Sequence, residues 1–155
     1  MPKWVKPVII TVAAVIGGSL LYWQMSQGES LLRLNGYSYH FTVMRSDAER
    51  AKGLSGTKSL SSDQAMIFVF PQDGSLPMWM KDMNYPIDMV WLNDDKEVVY
   101  TVKDAEPSSY NAVDPSKSTQ FASPTSAHYV IELPSGTIDR TGIKSGEPAG
   151  LPSNI

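Results

Sequence analysis

PMWMKDMNYPIDMVWL, Pro77–Leu92, carries four of the chain's 8 methionines, and its closing half sets the fold class. From Ile87 to Leu92 every residue but one is apolar, as in a buried β-strand. Side chains alternate along a strand, so Ile87, Met89 and Trp91 share one face and Asp88, Val90 and Leu92 share the other. Asp88 is the odd member of the second set. Glu97–Val102 is a further β-prone run, and Asn93-Asp94-Asp95-Lys96 between the two reads as the turn of a hairpin.

Outward from this stretch the pattern stays β. In LLRLNGYSYHFTV, residues 31–43, Asn35-Gly36 tolerates the positive φ angles of a type I′ turn and predicts a hairpin of Leu31–Leu34 with Tyr37–Val43. Met66–Phe70 reads as a strand buried on both faces and stopped by Pro71 and the turn Gln72-Asp73-Gly74. Ala127–Leu133 is one more strand. Ser46–Leu54 is a short helix with its punctuation: Ser46 as N-cap, Glu49 completing a capping box, Gly53 turning at the end. Thr137–Thr141 is a helical turn ended by Gly142. Lys103–Ser126 is polar, proline-bearing and long for a loop, which predicts a lid or local disorder, and residues 148–155 read as a flexible tail. The fold class expected is mainly β (α+β): a compact barrel- or sandwich-like sheet with one short α-helix, preceded by an N-terminal transmembrane helix.

That helix is expected over residues 1–25. No charged side chain stands between Lys6 and Glu29, and the apolar run from Pro7 to Met25 approaches the ~20 residues that span a bilayer. Lys3 and Lys6 precede it and no further Lys or Arg occurs before Arg33, which by the positive-inside rule keeps the N-terminus cytoplasmic. A cleaved signal peptide is the competing reading, but hydrophobicity continues through Leu20-Leu21-Tyr22-Trp23 past its weak Gly17-Gly18-Ser19 site. Residues 26–30, SQGES, form a short linker, and residues 31–147 an extracytoplasmic domain. The expected location is therefore the membrane, single-pass, with the domain outside.

Charge and cysteine content close off several classes. With 13 basic and 16 acidic residues in 155, the formal net charge is −3, so no broad basic surface awaits nucleic acid. With no cysteine there is no disulfide, thiol nucleophile or cysteine-bound zinc. No G-x-S-x-G elbow or phosphate-binding glycine loop occurs, and His40 and His128 lack metal-like spacing. No cofactor is expected, and the balance leans away from an enzyme.

The blocks ERAKGL (Glu49–Leu54), AMIFVFP (Ala65–Pro71), MWMKDMNYPIDMVWL (Met78–Leu92), YVIELPSG (Tyr129–Gly136) and GIKSGE (Gly142–Glu147) resemble, in order and spacing, the family known as domain of unknown function 192. The resemblance covers roughly residues 31–147. It matches at Glu49, Arg50, Gly53, Leu54, Met66, Phe68, Val69, Phe70, Trp79, Met80, Lys81, Pro86, Asp88, Tyr129, Val130, Glu132 and Gly146, and departs at Ala65, Met78, Asp82, Met83 and Glu147. It implies a compact, mainly β domain, often exported or membrane-anchored, with no established activity.

The residues themselves must therefore supply a function. Arg50, Trp79, Lys81, Asp88 and Glu132 are polar or amphipathic side chains in apolar surroundings, where an unpartnered charge costs on the order of several kcal/mol. One reading pairs Arg50 or Lys81 with Asp88 or Glu132 as structural ion pairs. The other sets all five around a pocket for a small ligand, with Trp79 as a stacking face suited to a sugar or a peptide fragment. A glycoside hydrolase using Asp88 and Glu132 is a further alternative. So are Cu(I) binding by Met78, Met80 and Met83 and a structural accessory protein working through an exposed apolar patch.

Overall fold

The computed structural model describes residues 31–155, so the anchor and linker expected over residues 1–30 lie outside the described residues. No helix among the described residues is long and apolar enough to cross a membrane. Leu31–Ile155 is one compact unit built on a single sheet. Its strands are β1 (Leu32–Leu34), β2 (Tyr37–Met44), β3 (Gln64–Gly74), β4 (Ile87–Leu92), β5 (Val98–Ala105), β6 (Ala127–Pro134) and β7 (Ala149–Gly150), in the order β5-β4-β6-β3-β2-β1-β7. All neighbours are antiparallel except β2 and β3, which run parallel across a connection containing helix α1 (Asp47–Lys52).

The two edges of this sheet meet. Val98 N–H donates to the Glu147 carbonyl at 2.9 Å, Gly146 N–H to the Val98 carbonyl at 2.8 Å, and Ala149 N–H to the Lys96 carbonyl at 2.8 Å. The edge strands β5 and β7 are thereby joined at one end, which satisfies backbone groups that an open edge would leave exposed. The result is one curled sheet, a half-barrel, and not two stacked layers of a sandwich.

Curling gives the sheet two different faces. The inner one gathers apolar side chains from every strand, Leu34, Tyr39, Ile67, Val90, Val98, Ile131 and Ala149 among them, and is plugged by Ile138 of helix α2 (Thr137–Thr141). On the outer face Met66, Phe68, Met89, Trp91 and Val130 are covered by Leu54 behind α1, by Leu76 and Met80, and by Tyr110 and Phe121 of the long loop. Trp91 is fully buried there, its indole N–H donating to the Leu76 carbonyl at 3.0 Å. The alternation expected for Ile87–Leu92 is what divides β4 between these two cores.

Most local signals act as expected. Asn35 and Gly36 both have positive φ, 44° and 85°, and close the β1–β2 hairpin. Ser46 Oγ accepts from Glu49 N–H while the Glu49 carboxylate accepts from Ser46 N–H, completing the capping box of α1. Three expectations change. Pro71 does not end β3, because the ladder to β6 is irregular between Val69 and Gly74 and a residue without N–H costs nothing there. Residues 106–126 form a strap pinned to the outer face by paired bonds between Met78 and Phe121 (2.7 and 2.9 Å) and by Ser123 N–H to the Ser75 carbonyl (2.9 Å). The tail is structured: Ala149 and Gly150 pair with β1, and Leu151 and Ile155 pack on the inner core.

Candidate functional site

On the outer face a cavity of about 180 Å³ opens between the end of α1, strand β3 and the Trp79 segment. Four of the five expected residues line it: Arg50, Trp79, Lys81 and Glu132. Phe68, Phe70, Met78 and Met83 supply apolar walls. Sequence patterning alone does not reveal these walls, since they come from two separate strands of chain. The segment between them is also conformationally special. Leu76 and Asp82, which bracket Pro77–Lys81, have φ of 46° and 55°, a region L-residues seldom adopt. Both are held from outside, Leu76 by the Trp91 bond and Asp82 by Gly56 N–H donating to its carbonyl at 2.8 Å.

Glu132 forms the floor. It sits mid-strand in β6, in register with Met66 of β3 on one side and Met89 of β4 on the other, and is only 4 % exposed. No hydrogen-bond donor of the described residues reaches its Oε2. Burial pushes its carboxyl pKa from the ordinary 4.5 up to about 8. At neutral pH it is therefore mostly a neutral carboxylic acid, able to donate one hydrogen bond and accept others.

The cations around it are not its partners. Arg50 is spent on α1 and β3: its guanidinium bonds Asp47 and the Arg45 carbonyl, reaches the Val69 carbonyl at 2.9 Å, and lies over the Phe70 ring at 5.2 Å. Among the described residues no carboxylate lies within ion-pair distance of the Lys81 ammonium, and its backbone carbonyl accepts from Ser55 Oγ at 2.8 Å. The expected structural pairs between Arg50 or Lys81 and Asp88 or Glu132 do not form. Trp79 is half exposed, so its ring is available to a ligand.

Asp88 is elsewhere, and this corrects the five-residue grouping. In register it opposes Leu133 while its neighbour Met89 opposes Glu132, so the two carboxylates project to opposite faces of the sheet. Asp88 Oδ1 accepts from Asp104 N–H at 2.9 Å and Oδ2 from Ile138 N–H at 2.7 Å. The N-cap of α2 is Gly136, which has no side chain, so Asp88 supplies the capping oxygen from β4. A glycosidase pair needs both carboxylates flanking one bond. Opposite faces exclude that here.

The methionines, by contrast, stay together on the outer face. Met80 is buried in the outer core, and Met78 and Met83 pack against that same core while lining the cavity, so all three serve as apolar packing. Among the described residues no group of three or more His, Asp or Glu side chains is placed to hold a metal ion. His128 Nδ1 lies 2.6 Å from Asp73 Oδ1 and pairs β6 with the end of β3.

A family profile described as an uncharacterized conserved group, domain of unknown function 192, matches residues 31–150. The chain belongs to that family. Two solved structures share the fold. A protein of unknown function from Novosphingobium aromaticivorans is 24% identical, with 79% of this chain and 82% of that one covered and a TM-score of 0.66. A candidate transcription regulator from Sinorhizobium meliloti is 24% identical, with 79% and 90% covered and a TM-score of 0.68. At that identity the likeness speaks for the fold alone. No curated protein matches the chain. The blocks that mark this family domain, on the sequence side, include each of Arg50, Trp79, Lys81 and Glu132.

Proposed function

We propose that this family domain is a non-enzymatic binding module for a small extracytoplasmic ligand, a sugar or peptide fragment, carried on a single-pass membrane anchor. The observation that supports it is Glu132: a carboxyl buried without a hydrogen-bond partner at Oε2, on the floor of a cavity whose rim carries the half-exposed Trp79. Stability alone gives no reason to keep an unpartnered acid in mid-sheet. A ligand that bonds to it does. The anchor rests on the uncharged run Pro7–Met25 and the lysines before it.

Other roles have less support. A net charge of −3 does not favour nucleic acid. A structural accessory role through an apolar patch is not favoured either, since the exposed large hydrophobics among the described residues, Tyr37, Trp79 and Val113, lie on three separate segments of the chain. The test is thermal unfolding of the full-length chain in mild detergent against a panel of monosaccharides and short peptides. The expected result is a midpoint raised by one of the two classes in the wild type and not in Trp79→Ala. A panel in which neither class raises the midpoint, or in which Trp79→Ala responds equally, overturns the reading.

A further inference from the structure

We propose that the Glu132 cavity takes the carboxyl-terminal residue of a peptide, with an apolar side chain; this rests on the small-ligand reading above and names its ligand class. Three features of the cavity correspond to the three parts of such a residue.

The walls select the side chain. Phe68, Phe70, Met78 and Met83 surround a volume of about 180 Å³, below the roughly 300–1,000 Å³ of sites for drug-sized ligands. That space suits one apolar side chain. A sugar ring presents hydroxyls on several sides and needs several polar partners, whereas Glu132 is the one buried acid or amide side chain lining the cavity among the described residues. The floor selects the amide. A neutral carboxyl offers one O–H and one carbonyl oxygen, and a peptide unit answers both with its own carbonyl and N–H.

The rim selects the free carboxylate. Of the three cationic residues lining the cavity, Arg50, Lys52 and Lys81, Arg50 is already engaged by Asp47, by the Arg45 and Val69 carbonyls and by the Phe70 ring. Neither Lys52 nor Lys81 has a carboxylate partner among the described residues, and both are exposed. An ammonium at the mouth of an apolar pocket attracts an anion to that mouth. The positive φ at Leu76 and Asp82 holds Trp79 and Lys81 in place beforehand, which reduces what a ligand must order on binding.

Isothermal titration of the full-length chain in mild detergent tests this with N-acetyl-Ala-Leu as free acid, the same dipeptide as its amide, and glucose. The free acid is expected to bind about 10-fold more tightly than the amide, the scale of one charge-assisted contact. The double variant Lys52→Met with Lys81→Met is expected to remove that preference. Glu132→Gln, which keeps a neutral donor and acceptor, is expected to retain binding, while Glu132→Leu loses it. A merely structural Glu132 would not separate Gln from Leu in this way.

Equal binding of acid and amide by the wild type overturns the inference and leaves the wider binding reading standing. Binding of glucose that depends on Trp79 does the same. Loss of binding in Glu132→Gln also overturns it, since the floor would then be reading a cation through a charged carboxylate. Silence from all three probes overturns it too, and the broader panel then decides the wider reading separately. The acid-against-amide contrast uses wild-type protein alone, so it stands even where a variant fails to fold.

Discussion

Asp88 and Glu132 are two buried carboxylates separated by one step of register across β4 and β6, and they have opposite fates. On the inner face Asp88, 0 % exposed, accepts backbone N–H bonds from β5 and from α2 with both oxygens. On the outer face Glu132, 4 % exposed, has an oxygen with no partner. The comparison teaches that burial and an apolar neighbourhood do not separate a structural acid from a candidate binding acid. What separates them is whether the fold brings donors to the carboxyl. The inner face has a helix terminus aimed at it, whereas the outer face has a cavity.

The largest effect that can break this contrast is at Asp88. Asp88→Ala strands the N–H groups of Asp104 and Ile138, which at ~1–3 kcal/mol each predicts a loss of roughly 4 kcal/mol. Urea denaturation of the full-length chain measures it. A cost no greater than that of Glu132→Ala would erase the distinction between the two faces.

The next effect is a pH dependence with a definite sign. The Glu132 carboxyl titrates near 4.5 when exposed in the unfolded chain and near 8 in the fold. Between those values the native state holds a proton that the unfolded state has lost, so stability falls as pH rises, by about 1.4 kcal/mol per unit. Below 4.5 both states are protonated and the penalty is absent; above 8 it is fully developed. Glu132→Gln removes this group's share. The variant is therefore expected to gain on the wild type by about 3 kcal/mol between pH 5 and 7.5, read from denaturation at each pH. An unchanged difference across that range would place a hidden partner at Glu132.

The smallest effects concern the surroundings of the cavity. Ser46→Ala removes one half of the capping box and is expected to cost about 1 kcal/mol. Trp79→Ala, at a half-exposed position, is expected to change the thermal midpoint little while abolishing any ligand response. A large loss of stability in Trp79→Ala would make that ring part of the core and sharpen the division in favour of Glu132 alone.

Much of this was legible in residue order. Asn35-Gly36, the Ser46 to Glu49 box and the alternation in Ile87–Leu92 are local signals, set by backbone sterics and side-chain period within a few residues. The alternation even foretold that Asp88 would share a face with Val90 and Leu92. The grouping of Asp88 with Glu132 failed because it depends on the register between β4 and β6, and register between strands about 40 residues apart is not written in either strand. The pinning of 106–126 and the pairing of Ala149 with Leu34 were hidden for the same reason, since both are contacts across the chain.

The sequence by itself determined a mainly β domain, its family, its turns and caps, and a short set of charged residues that needed accounting for. Each of those follows from local stereochemistry or from the arrangement of blocks along the chain. Only the tertiary structure decided which carboxyl is a fastening and which keeps an oxygen without a hydrogen-bond donor. Hydrogen-bond donors arrive from distant elements, and the sheet's curl directs a helix end to one face and leaves a cavity at the other.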